Sequence, residues 1–164
     1  MTIRPLDASN IKQAAKLASK VFFYKGVSVR LTFWVYRHQE KPFVVKMMRL
    51  AGYTLPIRNW VAVGESGEVL GTTGLYAYTK DEDEAVWLAW FCVAPGQRGQ
   101  GIGKRLVEHS IEMARAQNKR YFRLYTSTIP GEAAAQGLYE KYRFRITKKK
   151  NRLFYHLLYR ELEL

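Results

Sequence analysis

Apolar positions change their spacing along this chain, and each change marks a new element. Thr2 to Pro5 reads as a short strand, and Asp7 or Ser9 then offers an N-cap. Ile11, Ala14, Ala15, Leu17 and Ala18 follow at three- and four-residue intervals, the signature of a helix with one apolar face. Ser28 to Gln39 predicts a second helix, with Leu31, Trp34 and Val35 (or Val35 and His38) along a face. Phe43 to Leu50 predicts a third after Lys41-Pro42, stopped by Gly52. Strand signals take over at Asn59. Trp60 to Val63, the turn Glu65-Ser66-Gly67 and Glu68 to Tyr78 form a hairpin pattern. The acidic turn Asp81 to Glu84 leads into Ala85 to Val93, an almost unbroken apolar run of the kind a central strand covered on both faces requires.

Beyond Val93 the pattern is helix from Ile102 to Gln117, strand from Tyr121 to Thr126, and a short helix from Gly131 to Lys141. Phe144 to Thr147 and Leu153 to Tyr159 predict a closing hairpin around Lys148-Lys149-Lys150-Asn151. No repeat, linker or low-complexity tract interrupts this order. The order predicts an α/β fold: one domain over residues 1–164, with a mixed central sheet flanked by helices on both faces. The crossover from Val93 to Tyr121 should be parallel and right-handed, placing a ligand crevice at the carboxyl end of the Ala85–Val93 strand.

The segment at that carboxyl end is Val93-Ala94-Pro95-Gly96-Gln97-Arg98-Gly99-Gln100-Gly101-Ile102-Gly103-Lys104. A glycine-rich, basic turn between a strand and a helix suits an anion, because glycine lets the backbone approach closely and the helix's first N–H groups point at the ligand. Lys104 and Arg105 sit in the helix's first turn, where cations are ordinarily disfavoured; a bound anion reverses that penalty. The spacing is not that of a P-loop, since Arg98 stands where glycine is needed and Arg105 follows the lysine. Nor is it the dinucleotide fingerprint, whose last glycine would be Lys104.

The spacing Arg98-x-x-Gly101-x-Gly103 resembles the coenzyme A signature of the GNAT superfamily of N-acetyltransferases, and Trp90 to Pro95 with Ile102 to Gln117 resemble that family's motif A. The resemblance covers nearly the whole chain and is most specific over residues 85–145. It implies that backbone N–H groups of Arg98, Gly99, Gln100, Gly101, Ile102, Gly103 and Lys104 wrap the diphosphate of acetyl-CoA. Main-chain groups around Phe91, Cys92 and Val93 would pair with the pantetheine arm. The run Ala135-Gln136-Gly137-Leu138-Tyr139-Glu140-Lys141-Tyr142-Arg143-Phe144 resembles the family's second motif, which makes Tyr139 the group that donates a hydrogen bond or proton to the coenzyme sulfur, with Tyr142 the next candidate. Two positions depart from the family pattern: Glu132 replaces an asparagine that contacts pantetheine, and Arg143 replaces the glycine before the aromatic.

The central strand offers Trp87, Leu88, Ala89, Trp90 and Phe91, none of which can accept a proton, so no general base is assigned. His38 and Glu40 are the weak candidates, with an ordered water or an amine arriving neutral as the alternative. Phe22, Phe23, Tyr24, Phe33, Trp34 and Tyr36 read as core, one or two of them bordering the acceptor pocket that the resemblance implies.

Composition changes this picture little. Apolar residues at 48% and aromatics at 14% argue for a globular chain. The net charge of +13 from 27 basic and 14 acidic residues would steer an anionic cofactor, and it keeps open a non-catalytic nucleic-acid or ribosome-binding module. Helix-turn-helix, zinc-finger and RRM patterns are not found, so nucleic acid is not an expected partner. A coenzyme-A-binding regulator without turnover is a third reading. His38, His109 and His156 form no ligand cluster with Cys92, and no metal is expected. The lone cysteine, no apolar run of membrane-spanning length and an N-terminus unlike a signal peptide predict a cytoplasmic protein. The expected reaction is direct attack of a primary amine, on a small molecule or a protein, upon acetyl-CoA. Lys148, Lys149 and Lys150 would favour an acceptor carrying an anionic group.

Overall fold

The computed structural model describes residues 1–22 and 26–164, so Phe23 and Tyr24 lie outside the described residues. Seven strands form one sheet in the order β1-β2-β3-β4-β5-β7-β6: β1 (Thr2–Pro5), β2 (Tyr53–Val63), β3 (Val69–Tyr78), β4 (Ala85–Val93), β5 (Tyr121–Ser127), β6 (Arg145–Asn151) and β7 (His156–Glu163). The helices are α1 (Ile11–Val21), α2 (Gly26–His38), α3 (Pro42–Leu50), α4 (Ile102–Arg115), α5 (Pro130–Ala133) and α6 (Gln136–Lys141). The sheet is mixed: β4 and β5 pair in parallel, and every other neighbouring pair is antiparallel.

Alternation along the strands divides two cores. Val61, Val63 and Cys92 face Ile11, Ala14 and Ala18 of α1 and Val29 and Phe33 of α2. Leu75, Val86, Leu88, Phe122 and Leu124 face Val107, Ile111 and Ala114 of α4, with Tyr139 and Phe144 completing that side. Helices therefore cover both faces, and β4 is buried on both, as its apolar run requires. Among the described side chains of α2, Val29, Phe33 and Val35 are buried, whereas Leu31 and Trp34 are exposed; the face turned inward is set by α1 and the sheet, not by the bulkiest residues. No described helix is long and apolar enough to cross a membrane.

Several local outcomes differ from the expectations. The cap of α1 is Asn10, because the Asp7 carboxylate accepts from the Ser9 and Asn10 N–H groups in a turn before the helix. Strand β2 begins at Tyr53 rather than Asn59, with an irregularity between Thr54 and Arg58 that hides the alternation. The Gly131–Lys141 helix is two short helices, α5 and α6. Lys148, Lys149 and Lys150 lie within edge strand β6, while the turn of the hairpin is Arg152–Tyr155, closed by the Arg152 N–H to the Tyr155 carbonyl at 2.9 Å.

The feature that positions the site is a fork. Pairing of β4 with β5 runs only from Ala85↔Tyr121 to Trp87↔Arg123, after which the two strands part. Arg123 clamps the closed end, donating to Asp81 at 2.9 Å, Glu84 at 2.7 Å and Glu161 at 2.7 Å. Asp81 also accepts from the Trp87 indole at 3.0 Å. Its carboxylates come from the β4 entry and from β7, so one guanidinium ties three segments where the cleft begins.

Candidate functional site

Two backbone irregularities shape the open arm of β4. Thr72 pairs with Cys92 and Gly74 with Ala89, so Thr73 alone faces both Trp90 and Phe91: a bulge. Trp90 adopts φ 44°, rare for a bulky residue, and its carbonyl is held by the Thr72 hydroxyl at 2.6 Å. The edge of β4 from Leu88 to Val93 that faces β5 is left without a strand partner, an acceptor and donor row to which an extended ligand can add as another strand.

The glycine-rich turn continues from this arm. After the single-turn helix Pro95–Gln97, Gly99 (φ +80°) and Gly101 (φ +77°) take left-handed conformations, and Gly101 caps α4. A Cβ at either would meet no protein atom within 4 Å, so the backbone faces open space on that side. The N–H groups of Gln97, Arg98 and Arg105 bond to Ala94, Pro95 and Gly101 carbonyls. Those of Gly99, Gln100, Gly101, Ile102, Gly103 and Lys104 have no acceptor among the described residues. Six consecutive N–H groups at a helix N-terminus are thus left without a protein acceptor among the described residues, an arrangement suited to a diphosphate. The first-turn cation Lys104 lies 3.9 Å from Glu108.

A cavity of about 480 Å³ runs from this turn along the fork. Phe91, Cys92, Val93, Arg98, Gly99, Ile102 and Gly103 line it; Gln100, Gly101 and Lys104 flank it. Tyr139 also lines it, 4% exposed, between Phe91 (ring centroids 5.9 Å) and Phe144 (5.8 Å). Burial pushes the Tyr139 phenol well above its ordinary range, and the Glu132 charge adds to this while Arg160 opposes it. Helix α6 is fixed by Arg160 of β7, itself 3% exposed, which donates to Gln136 Oε1 at 2.9 Å, Glu140 Oε1 at 2.9 Å and the Phe144 carbonyl at 3.0 Å. Gln136 in turn donates to Thr126 and to the Ser127 carbonyl, both at 3.2 Å, tying α6 to β5. The buried Arg160 guanidinium is thus satisfied by three acceptors, which fixes the helix that carries Tyr139.

The other candidates are placed elsewhere. Tyr142 donates to Glu108 at 2.6 Å and does not line the cavity. His38 stacks on Trp34 with its Nδ1 2.8 Å from the Trp34 carbonyl, and neither it nor Glu40 reaches the cavity. Lys148, Lys149 and Lys150 are exposed on β6, away from the cavity, so they supply no anion-binding wall to it. The Cys92 thiol packs against α1 and α2, 3.2 Å from Thr72 Oγ1, and burial pushes it up to about 11, so it stays an uncharged core group. Among the described residues no group of three or more His, Cys, Asp or Glu side chains is arranged to hold a metal.

Of the aromatics expected to border the acceptor pocket, Phe22 lines the cavity, and so does Glu132 at the family's asparagine position; the tyrosines of the remote end were not anticipated. Glu132, 8% exposed, is the carboxylate among the described lining residues; it accepts from the Ser127 N–H at 2.6 Å and the Thr126 hydroxyl at 3.5 Å. Tyr53, Tyr76, Tyr78 and Tyr125 form the end remote from the glycine turn. The i, i+2 spacing of Tyr76 and Tyr78 on one strand was the available signal, since such residues share a face.

The profile of the Acetyltransferase (GNAT) family matches residues 27–144. A Desulfovibrio desulfuricans protein assigned to the GNAT acetyltransferases superposes with a TM-score of 0.75 at 17% identity, covering 99% of this chain and 98% of that one. An aminoglycoside 6'-N-acetyltransferase complexed with coenzyme A gives 0.71 at 15% identity, covering 99% and 97%. A GNAT acetyltransferase from Elizabethkingia anophelis with acetyl-CoA bound gives 0.67 at 19% identity, again covering 99% and 97%. No curated protein matches the sequence. Since the family profile spans the forked strands, the glycine turn and the Tyr139 helix, this chain belongs to the GNAT acetyltransferase family.

Proposed function

We propose that residues 1–164 act as one N-acetyltransferase domain that moves an acetyl group from acetyl-CoA to a primary amine by direct attack. The observation that carries this reading is the row of six N–H groups from Gly99 to Lys104 without a protein acceptor among the described residues, beside a cavity that leads to a buried, protonated tyrosine. Acetyl-CoA would supply the activated thioester. Gly99 to Lys104, with Arg98 beside them, would hold its diphosphate, and the unpaired edge of β4 at Phe91, Cys92 and Val93 would hold its pantetheine arm as an added strand.

The chain's own contribution is alignment and charge stabilisation. The fork would hold the acceptor and the thioester in one cleft, and such alignment supplies a large part of a transfer rate. Tyr139 keeps its proton at neutral pH and presents it within the cavity. Because burial raises its pKa above that of a thiol near 8.5, full transfer to a thiolate is uphill, and the phenol acts chiefly as a hydrogen-bond donor to the departing sulfur. Glu132 stands where the family's asparagine would contact pantetheine, and its bond to the Ser127 N–H anchors it to β5. The single cysteine, kept as a buried thiol, fits a reducing compartment, and we place the chain in the cytoplasm.

A steady-state assay of free thiol released from acetyl-CoA in the presence of amines tests the reading. Amine-dependent release is expected. Acetyl-CoA that neither binds nor is consumed refutes it, and DNA binding that weakens steeply with salt in its place would favour the nucleic-acid module.

A further inference from the structure

The remote end of the cavity has a distinct chemistry. Tyr53 packs against Tyr76 and Tyr78 with ring centroids 6.0 and 5.0 Å apart, and Tyr76 meets Tyr78 edge-on at 5.1 Å. Tyr76 Oη donates to Tyr78 Oη at 3.3 Å. Tyr125 faces this cluster from β5, and Val35, Met48 and Ile57 supply apolar wall from the α2, α3 and β2 side. Burial raises the pKa of Tyr76, Tyr78 and Tyr125; neighbouring phenols add to this at Tyr76 and Tyr125, while at Tyr78 the hydrogen bond from Tyr76 opposes it, and all three stay neutral at physiological pH.

This end therefore presents ring faces, ring edges and uncharged hydroxyls. Among the described lining residues the charged side chains are Arg98, at the glycine turn, and Glu132, beside Thr126 and Tyr139. Lys80 Nζ stands 5.0 Å from the Tyr78 ring centroid and Lys150 Nζ 5.3 Å from that of Tyr159, and neither lysine lines the cavity. An anionic acceptor inside it would meet no described cation directly at the tyrosine end, and an ion taken from water without a partner pays a heavy desolvation penalty. A polycationic acceptor would meet the repulsion of a chain carrying +13. The thioester arm shares the cavity of about 480 Å³, so the acceptor has only part of that volume. Aromatic groups gain from edge-on and offset packing at the spacing these rings already adopt.

We propose that the acceptor is a primary amine borne on a single uncharged aromatic ring, the ring seated against Tyr53, Tyr76, Tyr78 and Tyr125 and the nitrogen directed toward the β4 bulge. The proposal rests on the acetyl-transfer reading above and names the acceptor class for it.

Three amines separate the possibilities: 2-phenylethylamine, spermidine and L-glutamate, each assayed by thiol release from acetyl-CoA. The kcat/KM for 2-phenylethylamine should exceed those for the other two by about 100-fold or more. Preference for spermidine or glutamate overturns the proposal and leaves acetyl transfer standing. Tyr53→Ala should raise KM for 2-phenylethylamine about tenfold while acetyl-CoA affinity is unchanged, which also reports that the variant is folded. A calorimetric titration of 2-phenylethylamine into the wild-type protein, with and without saturating coenzyme A, decides the case in which no amine turns over. Heat of binding is expected, and none up to millimolar concentration in either state overturns the proposal. Loss of acetyl-CoA binding itself would sink the acetyl-transfer reading instead, and the titration without cofactor would still judge the aromatic seat.

Discussion

Replacing Gly101 by glutamate tests the anion cradle with little confusion from folding. A Cβ at this position meets no protein atom within 4 Å, so the new side chain enters the space that the diphosphate would occupy. The left-handed φ of +77° costs a non-glycine residue about 1–2 kcal/mol. A carboxylate at the N-cap of α4 recovers about 0.3–1 kcal/mol through the helix dipole, so the free protein loses little stability. Toward a diphosphate the effect is larger. One carboxylate about 5 Å from one phosphate charge, at an effective dielectric near 20, repels by about 3.3 kcal/mol, or roughly 270-fold in affinity. At acetyl-CoA one hundred times the wild-type Kd, wild type gains about 2.7 kcal/mol and the variant about 0.2 kcal/mol. For a chain of this size those gains correspond to thermal shifts of about 5–11 °C and under about 1 °C. Each protein is compared with itself, with and without acetyl-CoA, so differences in baseline stability cancel. A Gly101→Glu protein that keeps the wild-type shift would refute the assignment of the diphosphate to this turn.

Three further outcomes are expected. Tyr139→Phe should retain the acetyl-CoA-induced thermal shift while kcat falls by about 10²-fold; an unchanged kcat would remove Tyr139 from the reaction. Arg143 occupies the position where the family carries glycine and adopts φ 62°, so Arg143→Gly should relieve about 1–2 kcal/mol of left-handed strain against about 0.5–1 kcal/mol of glycine entropy. Urea unfolding should then show a net gain of about 0.5–1 kcal/mol, and a loss would show that the Arg143 side chain matters more than its backbone. Tyr76, Tyr78 and Tyr139 have native pKa values raised above the unfolded value near 10, so their contribution is intact below pH 10 and lost as pH climbs toward the native values. Urea midpoints should hold from pH 8 to 9.5 and decline beyond pH 10; a decline beginning near pH 8 would contradict this sign.

The sequence exposed most readily what depends on short-range chemistry. The glycine turn, the doubly buried β4 run and the α4 face follow from residue spacing alone, and the structure places Tyr139 in the same cavity as Arg98 and Gly99. The tyrosine end was not legible, because it joins the start of β2, the end of β3 and the middle of β5, segments brought together only by the sheet. The first residues of β2 were missed for a related reason: the irregularity between Thr54 and Arg58 breaks the alternation by which strands are recognised. The lysine run reads as the turn of the hairpin yet lies in β6, because an exposed edge strand carries charges on both faces and so shows no apolar period. Arg143 shows the converse. Its departure from glycine was visible in the sequence, yet the backbone keeps the glycine-like conformation, held by the Phe144 N–H bonded to the Tyr139 carbonyl at 2.9 Å.

A crystal structure of the acetyl-CoA complex tests the central claim most directly. The diphosphate oxygens should lie within about 2.7–3.2 Å of backbone nitrogens between Gly99 and Lys104, with the pantetheine arm laid along β4 from Phe91 to Val93. A complex in which those nitrogens contact only water, with the diphosphate bound at another surface, would contradict it.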